Sequence, residues 1–409
     1  MITFALNTCY EFIFKGNTVN NTLYEIKLSI VYGVKSDWIL TYNCPKDLPI
    51  EIINSNEIIY KVDSDTLNSF ALSEYSCTFI DEQLILMYLI ESNNVNISNF
   101  VIEIKVNNEC LFIGCIDLMS VSFNKKENQL QCDFKPRSYI LNQTDTVING
   151  AINYSVLNIT SNQIPLNIID FITRIYRLVN PDIQLNISAD FDFFSVNSNV
   201  TPPIVTVTNI NEIYVDERIF GSYNGANFVF NDIDNFGTLI KRIAFTFGCI
   251  TGLVSDNKAI FYPFLSNNKP CKIINSESVI NYNIEGVRDK IDCLKISPSG
   301  IYAGSYTEIS GKYIVKDIFN LFLQNTNNGF IQVSKLGLNN QIYNFDEAIL
   351  NYYKDYYMSK KYCFEHIFEL LGIDFDPYTD IEVFGKRFTP IEISINFEKF
   401  TTKIKAVSV

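Results

Sequence analysis

A single histidine, His366, stands in 409 residues. That excludes most zinc sites and leaves any Ser-His-Asp arrangement hanging on one side chain. No GxSxG elbow, P-loop or HExxH helix occurs. The ten cysteines, at 9, 44, 77, 110, 115, 132, 249, 271, 293 and 363, include no CxxC pair, and most lie in apolar strand patterns. They read as buried thiols in a reducing compartment, not as disulfides or metal ligands. No long apolar run is present. The longest, Leu84 to Ile90, falls far short of the roughly 20 residues a membrane helix needs. The opening MITFALNTCYEFIFKG lacks a basic segment before an apolar core, so no signal peptide is expected. Positive charge is scarce too, with 32 Lys and Arg against 45 Asp and Glu and a net charge of −13. Nucleic-acid binders need a basic footprint, so sequence-specific binding is not expected. The same sign suits a surface past which DNA slides, although solubility alone accounts for it.

What is present is apolar and aromatic. Hydrophobic residues make up 47% and charged residues 19%, which supplies ample core and argues against disorder. The length allows two to four domains at roughly 100–200 residues each. The 32 Phe and 24 Tyr set the style of packing. The surplus of Asn and Ile is what an AT-rich genome produces, and sequons such as Asn96-Ile97-Ser98 and Asn158-Ile159-Thr160 arise by chance in such a chain.

The stretch NFVIEIKVNNECLFIGCIDLMSVSFNKKENQLQCDF, from 99 to 134, alternates with period 2. Phe100, Ile102, Ile104 and Val106 share a face, and Asn107-Asn108-Glu109 turns the chain. Leu111, Ile113 and Cys115 continue, with Gly114 at a bulge or close approach. Val121 and Phe123 follow, and Leu130, Cys132 and Phe134 close the set. Four short strands in an antiparallel meander are predicted, which must be covered or closed into a barrel.

Residues 1–90 add strands at 23–30, 50–62 and 75–80, with Pro45 and Pro49 in a loop. Pro165 opens a helix carrying Ile168, Ile169, Ile172, Ile175, Tyr176 and Val179, and Asn180-Pro181 stops it. Ile183, Leu185 and Ile187 make a strand, and Ser195 to Pro203 a loop. A second helix spans 236–247, with Gly248 as its stop, before a hairpin over 250–264. Ile291 to Ile296 alternates as a strand. Val315, Ile318, Phe319 and Phe322 predict a short helix. Asn344 with Glu347 forms a capping box for a helix faced by Phe345, Ala348, Ile349, Tyr352, Tyr353 and Tyr356. Residues 362–372 fit either period and are read as a strand. Ile381 to Phe384, Gly385-Lys386 and Arg387-Phe388 form a hairpin, and strands at 391–397 and 401–407 complete a second meander. The fold class is α+β, mostly β, with two β domains flanking a small mixed one.

Chemistry is sparse. His366 lies among apolar residues and reads as a packing or surface residue. The pairs Asp190/Asp192, Asp232/Asp234 and Asp374/Asp376 are calcium candidates by type, but none has EF-hand spacing, and solvated loop carboxylates are the reading. Tyr352-Tyr353-Lys354-Asp355-Tyr356-Tyr357 is either a carbohydrate-stacking surface or an aromatic helix face packed on a sheet; the second is preferred. No catalytic, cofactor or metal residue is assigned, and no enzyme is expected.

Four segments carry a resemblance. They are LFIGCIDLMSVSF in the meander, the unit FGTLIKRIAFTFGCITGLVSDNKAIFYPF, the strand VINYNIEGVRDKIDCLKI, and NFDEAILNYYKDYYMSKK followed by DIEVFGKRFTPIEISINFEKFTTKIKAV. In this order they resemble bacteriophage tail hub (baseplate hub) proteins, the hubs of related injection machines and the N-terminal hub portion of tail-associated lysins. The resemblance implies two tail-tube-like β-barrels, over 1–140 and 273–409, around a mixed domain over 141–272, with a helical insertion at about 313–360 of the second barrel. It implies a homotrimer in which paired barrels imitate sixfold symmetry. The implied partners are further copies, the tail tube or distal tail protein, a spike or tail fibre protein, and the tape measure protein. The place implied is the tail tip of a virion assembled in the host cytoplasm. The competing reading is a β-rich surface protein that binds or cleaves host glycans.

Overall fold

The computed structural model describes residues 6–33, 41–43, 50–53, 56–62, 72–92, 95–160, 164–187, 210–230, 233–255, 257–265, 269–297, 301–304, 312–327, 329–339 and 341–409. Pro45, Pro49, Cys44, the 195–203 loop, Asp190, Asp192 and Asp232 lie outside them. The chain is mostly β with few helices.

Nine strands come first: β1 (Thr8–Asn17), β2 (Leu23–Tyr32), β3 (Thr41–Asn43), β4 (Ile50–Ile53), β5 (Glu57–Lys61), β6 (Leu72–Asp81), β7 (Val95–Val106), β8 (Glu109–Asn124) and β9 (Gln129–Pro136). The 99–134 meander is real, but it holds three strands where four are predicted. The second and third merge into β8, which is interrupted by a register shift between Asp117 and Ser122. Ser120 keeps that irregularity in the ladder: its hydroxyl donates to the Asp117 carbonyl at 2.7 Å and accepts the Asp133 amide at 2.8 Å. The inward face of β8 is also one residue off the expected one. Phe112, Gly114 and Ile116 are buried, while Leu111, Ile113 and Cys115 are half-buried. LFIGCI is apolar on both faces, so alternation alone does not choose between them.

The second meander consists of the strands Phe364–Leu371, Asp380–Val383, Lys386–Asn396 and Thr401–Ser408. Phe384 and Gly385, both at positive φ, make the tight turn of its hairpin. The two β segments are joined. Strand Lys386–Asn396 pairs antiparallel with β5, from Glu392↔Lys61 to Asn396↔Glu57. A single 15-stranded sheet results, running from the Val279–Gly286 strand at one end to β1 and β3 at the other. One core serves both parts: Ile26, Ile102, Phe79 and Phe134 from the first lie in the same buried cluster as Phe368, Ile393, Ile395 and Ile404 from the last.

A second core gathers the helices. These are α1 (Ile85–Glu91) and α2 (Ile140–Gln143), both short, and α3 (Ile168–Arg177), α4 (Phe236–Thr246) and α5 (Phe345–Tyr357). The last three form where the 3.6-residue period predicts, and they bury Ile172, Ile175, Leu239, Ile243, Ile349 and Tyr353 together. Asn167 and Asn235 cap α3 and α4 through bonds from Ile169 N–H at 2.9 Å and Thr238 N–H at 2.8 Å. Gly248, at φ 64°, ends α4. The capping box of α5 is not made: the Asn344 side chain accepts from Lys335 Nζ at 2.6 Å instead. The helix predicted around 315–322 is replaced by a strand, Tyr313–Asp317, paired in parallel with Cys293–Ser297. Ile318, Phe319 and Phe322 are buried as their stripe suggests, but in irregular chain between two strands. Of residues 362–372, read as a strand, Phe364–Leu371 form one, while Tyr362 and Cys363 end a short 3-10 helix, Lys360–Cys363.

Among the described residues, no helix is long and apolar enough to cross a membrane.

Candidate functional site

The end strand Val279–Gly286, VINYNIEG, is hydrogen-bonded to Phe364–Leu371 on one side and, among the described residues, to no strand on the other. Tyr282 lies opposite Phe368 and Ile284 opposite His366. Tyr282 and Ile284 therefore share a face with Phe368 and Leu370, which are fully buried one strand further in. Val279, not Ile280, stands opposite Leu370, because the register shifts between Val279 and Asn281. At the edge the cover ends. Ile284 is half exposed, and Phe364 and Phe384 beside it are 42% and 58% exposed. The apolar underside of the sheet thus emerges at a strand with one unpaired flank among the described residues, in which the Ile284 N–H donates to Asn283 Oδ1 at 2.9 Å. Such an edge is a template for another strand. Natural edges are commonly blunted by Lys, Pro or a bulge. VINYNIEG has no Lys or Pro, and its register shift lies at its first residues, between Val279 and Asn281.

Aromatic rings stiffen this face. Tyr282 stacks on Phe368 with ring centroids 4.9 Å apart and lies nearly parallel to His366 at 6.1 Å. His366 sits 4.7 Å from the Phe388 ring, and its Nδ1 is 2.9 Å from the Tyr282 hydroxyl. Burial, and then the nearby Lys386 charge, hold the His366 pKa below its ordinary value, so the ring is neutral at neutral pH. The one histidine of the chain is thus part of an aromatic ledge.

The hairpin carrying Phe384 and Phe388 is anchored by charge. Asp380 is fully buried. Its Oδ1 lies 2.8 Å from Lys269 Nζ and accepts from the Thr389 hydroxyl at 2.8 Å, and its Oδ2 accepts from Arg387 Nε at 2.7 Å. Arg387 also donates to the Lys269 carbonyl, which ties the hairpin to the chain entering strand Cys271–Ile273.

At the far end of the sheet, β1 pairs with β3 only over Thr8–Tyr10. From Glu11 to Asn17 it pairs with β2 alone among the described residues. Its inward residues Tyr10 and Phe12 are buried, and its outer face is ionic. Lys15 meets Glu25 at 3.0 Å, and Lys27 bridges Glu11 and Glu103 at 3.6 and 3.3 Å.

The residues singled out in the sequence are dispersed. Asp374 is an exposed ion-pair partner of Lys272 at 2.9 Å. Asp376 caps its own loop, accepting from Tyr378 N–H at 2.7 Å and the Thr379 hydroxyl at 3.0 Å. Asp234 contributes its carbonyl to the Thr146 amide. Among the described residues, no group of three His, Cys, Asp or Glu is placed to hold a metal ion. The tyrosine run faces inward. Tyr353, Tyr356 and Tyr357 are buried, Tyr353 stacks on Phe245 at 4.5 Å, and the Tyr352 hydroxyl donates to the Gly248 carbonyl at 3.0 Å. A glycan would find no aromatic platform there. What sequence reasoning passed over is the edge itself. The alternation of Ile280, Tyr282 and Ile284 is plain in VINYNIEG, but nothing in it says that one flank goes unpaired.

No family model matches the chain, and no curated protein matches it. Solved structures similar to it include two tail proteins and a secretion-system component. The 43 kDa tail protein of prophage MuSo2 from Shewanella oneidensis has a TM-score of 0.44 at 9% identity, covering 88% of this chain and 97% of that one. A tail protein from Neisseria meningitidis MC58 has a TM-score of 0.47 at 8% identity, covering 88% and 95%. An E. coli component of the type VI secretion system, described as structurally similar to the T4 bacteriophage tail proteins gp27 and gp5, has a TM-score of 0.43 at 10% identity, covering 89% and 76%.

Proposed function

We propose that this chain is a non-enzymatic structural protein of a phage tail: a hub in which three copies close a ring between the tail tube and a spike or fibre. The observation that carries the proposal is the single curled sheet, built from two β segments and, among the described residues, left with an unpaired strand flank at each end. Two different edges on one subunit make a heterologous, head-to-tail contact, and such contacts close into rings when the rotation allows. Here the Val279–Gly286 strand of one copy adds beside Glu11–Asn17 of β1 in the next, so the apolar underside of the sheet runs on across the seam. Each subunit then supplies two β segments, and three subunits present six to a hexameric tube. The division into 1–140, 141–272 and 273–409 belongs to the same proposal. So do the distal tail and tape measure proteins as neighbours, the virion tail tip as location with assembly in the host cytoplasm, and a channel past whose net negative surface DNA slides without adhering.

The test is the mass of the purified full chain by sedimentation and light scattering, alone and with tail tube protein. A trimer is expected, and Ile280→Lys/Ile284→Lys, which charges the edge strand while leaving its paired flank intact, should return a monomer of native circular dichroism. A wild-type chain that stays monomeric in both conditions, or a double variant that remains trimeric, overturns the proposal.

A further inference from the structure

Cys77 in β6 and Cys132 in β9 are direct cross-strand partners in the antiparallel register, and both point into the first core, 2% and 0% exposed. Around them stand Tyr75, Phe79 and Phe134, with Phe134 6.2 and 6.5 Å from the other two rings. Residues directly opposite in an antiparallel pair have Cα atoms about 4.5 or 5.5 Å apart, depending on the kind of pair. A disulfide needs roughly 4.4–6.8 Å. The ladder therefore already holds the two Cα atoms at bonding range. No other register pair among the described strands sets cysteine against cysteine: Cys110 faces Lys105, and Cys115 faces Val101 and Lys135.

We propose that Cys77 and Cys132 are a modification site, forming a reversible cross-strand disulfide that staples β6 to β9 when the protein meets hydrogen peroxide. One sulfur, as thiolate, attacks a peroxide oxygen. The O–O bond breaks, and the departing hydroxide takes up a proton to leave as water, giving a sulfenic acid. The second sulfur, having lost its proton, attacks the first. The S–S bond forms, the S–OH bond breaks, and a second water leaves. Two thiols lose two electrons and two protons in all, and one peroxide becomes two waters. Peroxide suits the site because it is small and uncharged, and a local opening of the sheet admits it. Burial, followed by the neighbouring Cys132 thiol, pushes the Cys77 thiol well above its ordinary pKa, so the pair forms its bond slowly and more readily as pH rises.

The full-length chain is treated with hydrogen peroxide, blocked with N-ethylmaleimide in denaturant, digested and mapped by mass spectrometry. The expected result is an intact chain lighter by two hydrogens, unmoved to higher mass on a non-reducing gel, with one linked peptide joining Cys77 to Cys132. Dithiothreitol should reverse the mass change and abolish the linked peptide. Recovery of both cysteines as maleimide adducts, or of either as sulfinic acid with no linked peptide, overturns the proposal. The wild-type map decides this without a variant. Cys132→Ala, if it folds, should lose the linked peptide and gain no other, and a new linkage from Cys77 to a different cysteine would count against the assigned pair.

Discussion

At the scale of single residues, the clearest commitment of the fold is Asp380. A carboxylate with no exposure is tolerable only when it is hydrogen-bonded and its charge is paired, and here Arg387 and Thr389 donate to it while the Lys269 ammonium pairs its charge. Replacing such a group with a hydrophobe is not the same as deleting it. Asp380→Ala leaves the buried Lys269 ammonium without its counter-charge, so a loss of about 3–5 kcal/mol is expected in urea unfolding. The double change Asp380→Ala/Lys269→Met should recover much of that loss, because the stranded charge is gone. A single variant within about 0.5 kcal/mol of the wild type would show that the cluster contributes nothing to stability. Asp81 is a second buried carboxylate, spent locally: its two oxygens accept the amides of Ile85, Leu86 and Met87 and so start α1. Neither role was visible in the sequence, since nothing in the neighbours of an Asp reports that it will be buried.

At the scale of elements, legibility followed periodicity. Helices α3, α4 and α5 are legible through a 3.6-residue stripe, but α3 starts at Ile168 behind the Asn167 cap and not at Pro165. The closing hairpin is legible through Gly385, although its turn is Phe384-Gly385 and not Gly385-Lys386. The errors came where the pattern carries no period. Leu84 to Ile90 is apolar throughout, so neither period stands out and α1 was not foreseen. Ile318, Phe319 and Phe322 have helical spacing, yet the preceding strand pairs in parallel with Cys293–Ser297 and the chain enters the core without forming a helix, where Phe319 N–H meets the Thr246 hydroxyl at 3.0 Å. Gly114 is a partial success. It was marked as a bulge or close approach, and close approach is what occurs, since a Cβ there would stand 2.5 Å from the Lys135 carbonyl oxygen of β9. That oxygen is backbone and cannot rotate aside. Gly114→Val should therefore push β8 off β9 and cost about 1–3 kcal/mol by overpacking, with faster hydrogen exchange confined to those two strands. Unchanged exchange across β8 and β9 would mean that the sheet absorbs the side chain.

At the scale of the whole molecule, the feature that alternation could not disclose is that the first and last β segments form one sheet. Pairing between β5 and Lys386–Asn396 joins residues more than 300 positions apart in the chain, and loop closure of that span carries no local sequence signal. Its consequence is cooperative. Ile58 in β5 is fully buried opposite Ile395, and both belong to the core that the two segments share. Ile58→Ala removes apolar contact at the joint and should cost about 2–5 kcal/mol. If the sheet unfolds as one body, amides in β9 on one flank and in Thr401–Ser408 on the other should both lose protection by that same amount. Exchange that rises only on the β5 side would mean that the two halves open independently, and the joint would then be a contact between separate modules. The trimeric ring proposed above requires the first outcome, because a joint that opens independently would let the two segments of a subunit drift out of register with each other.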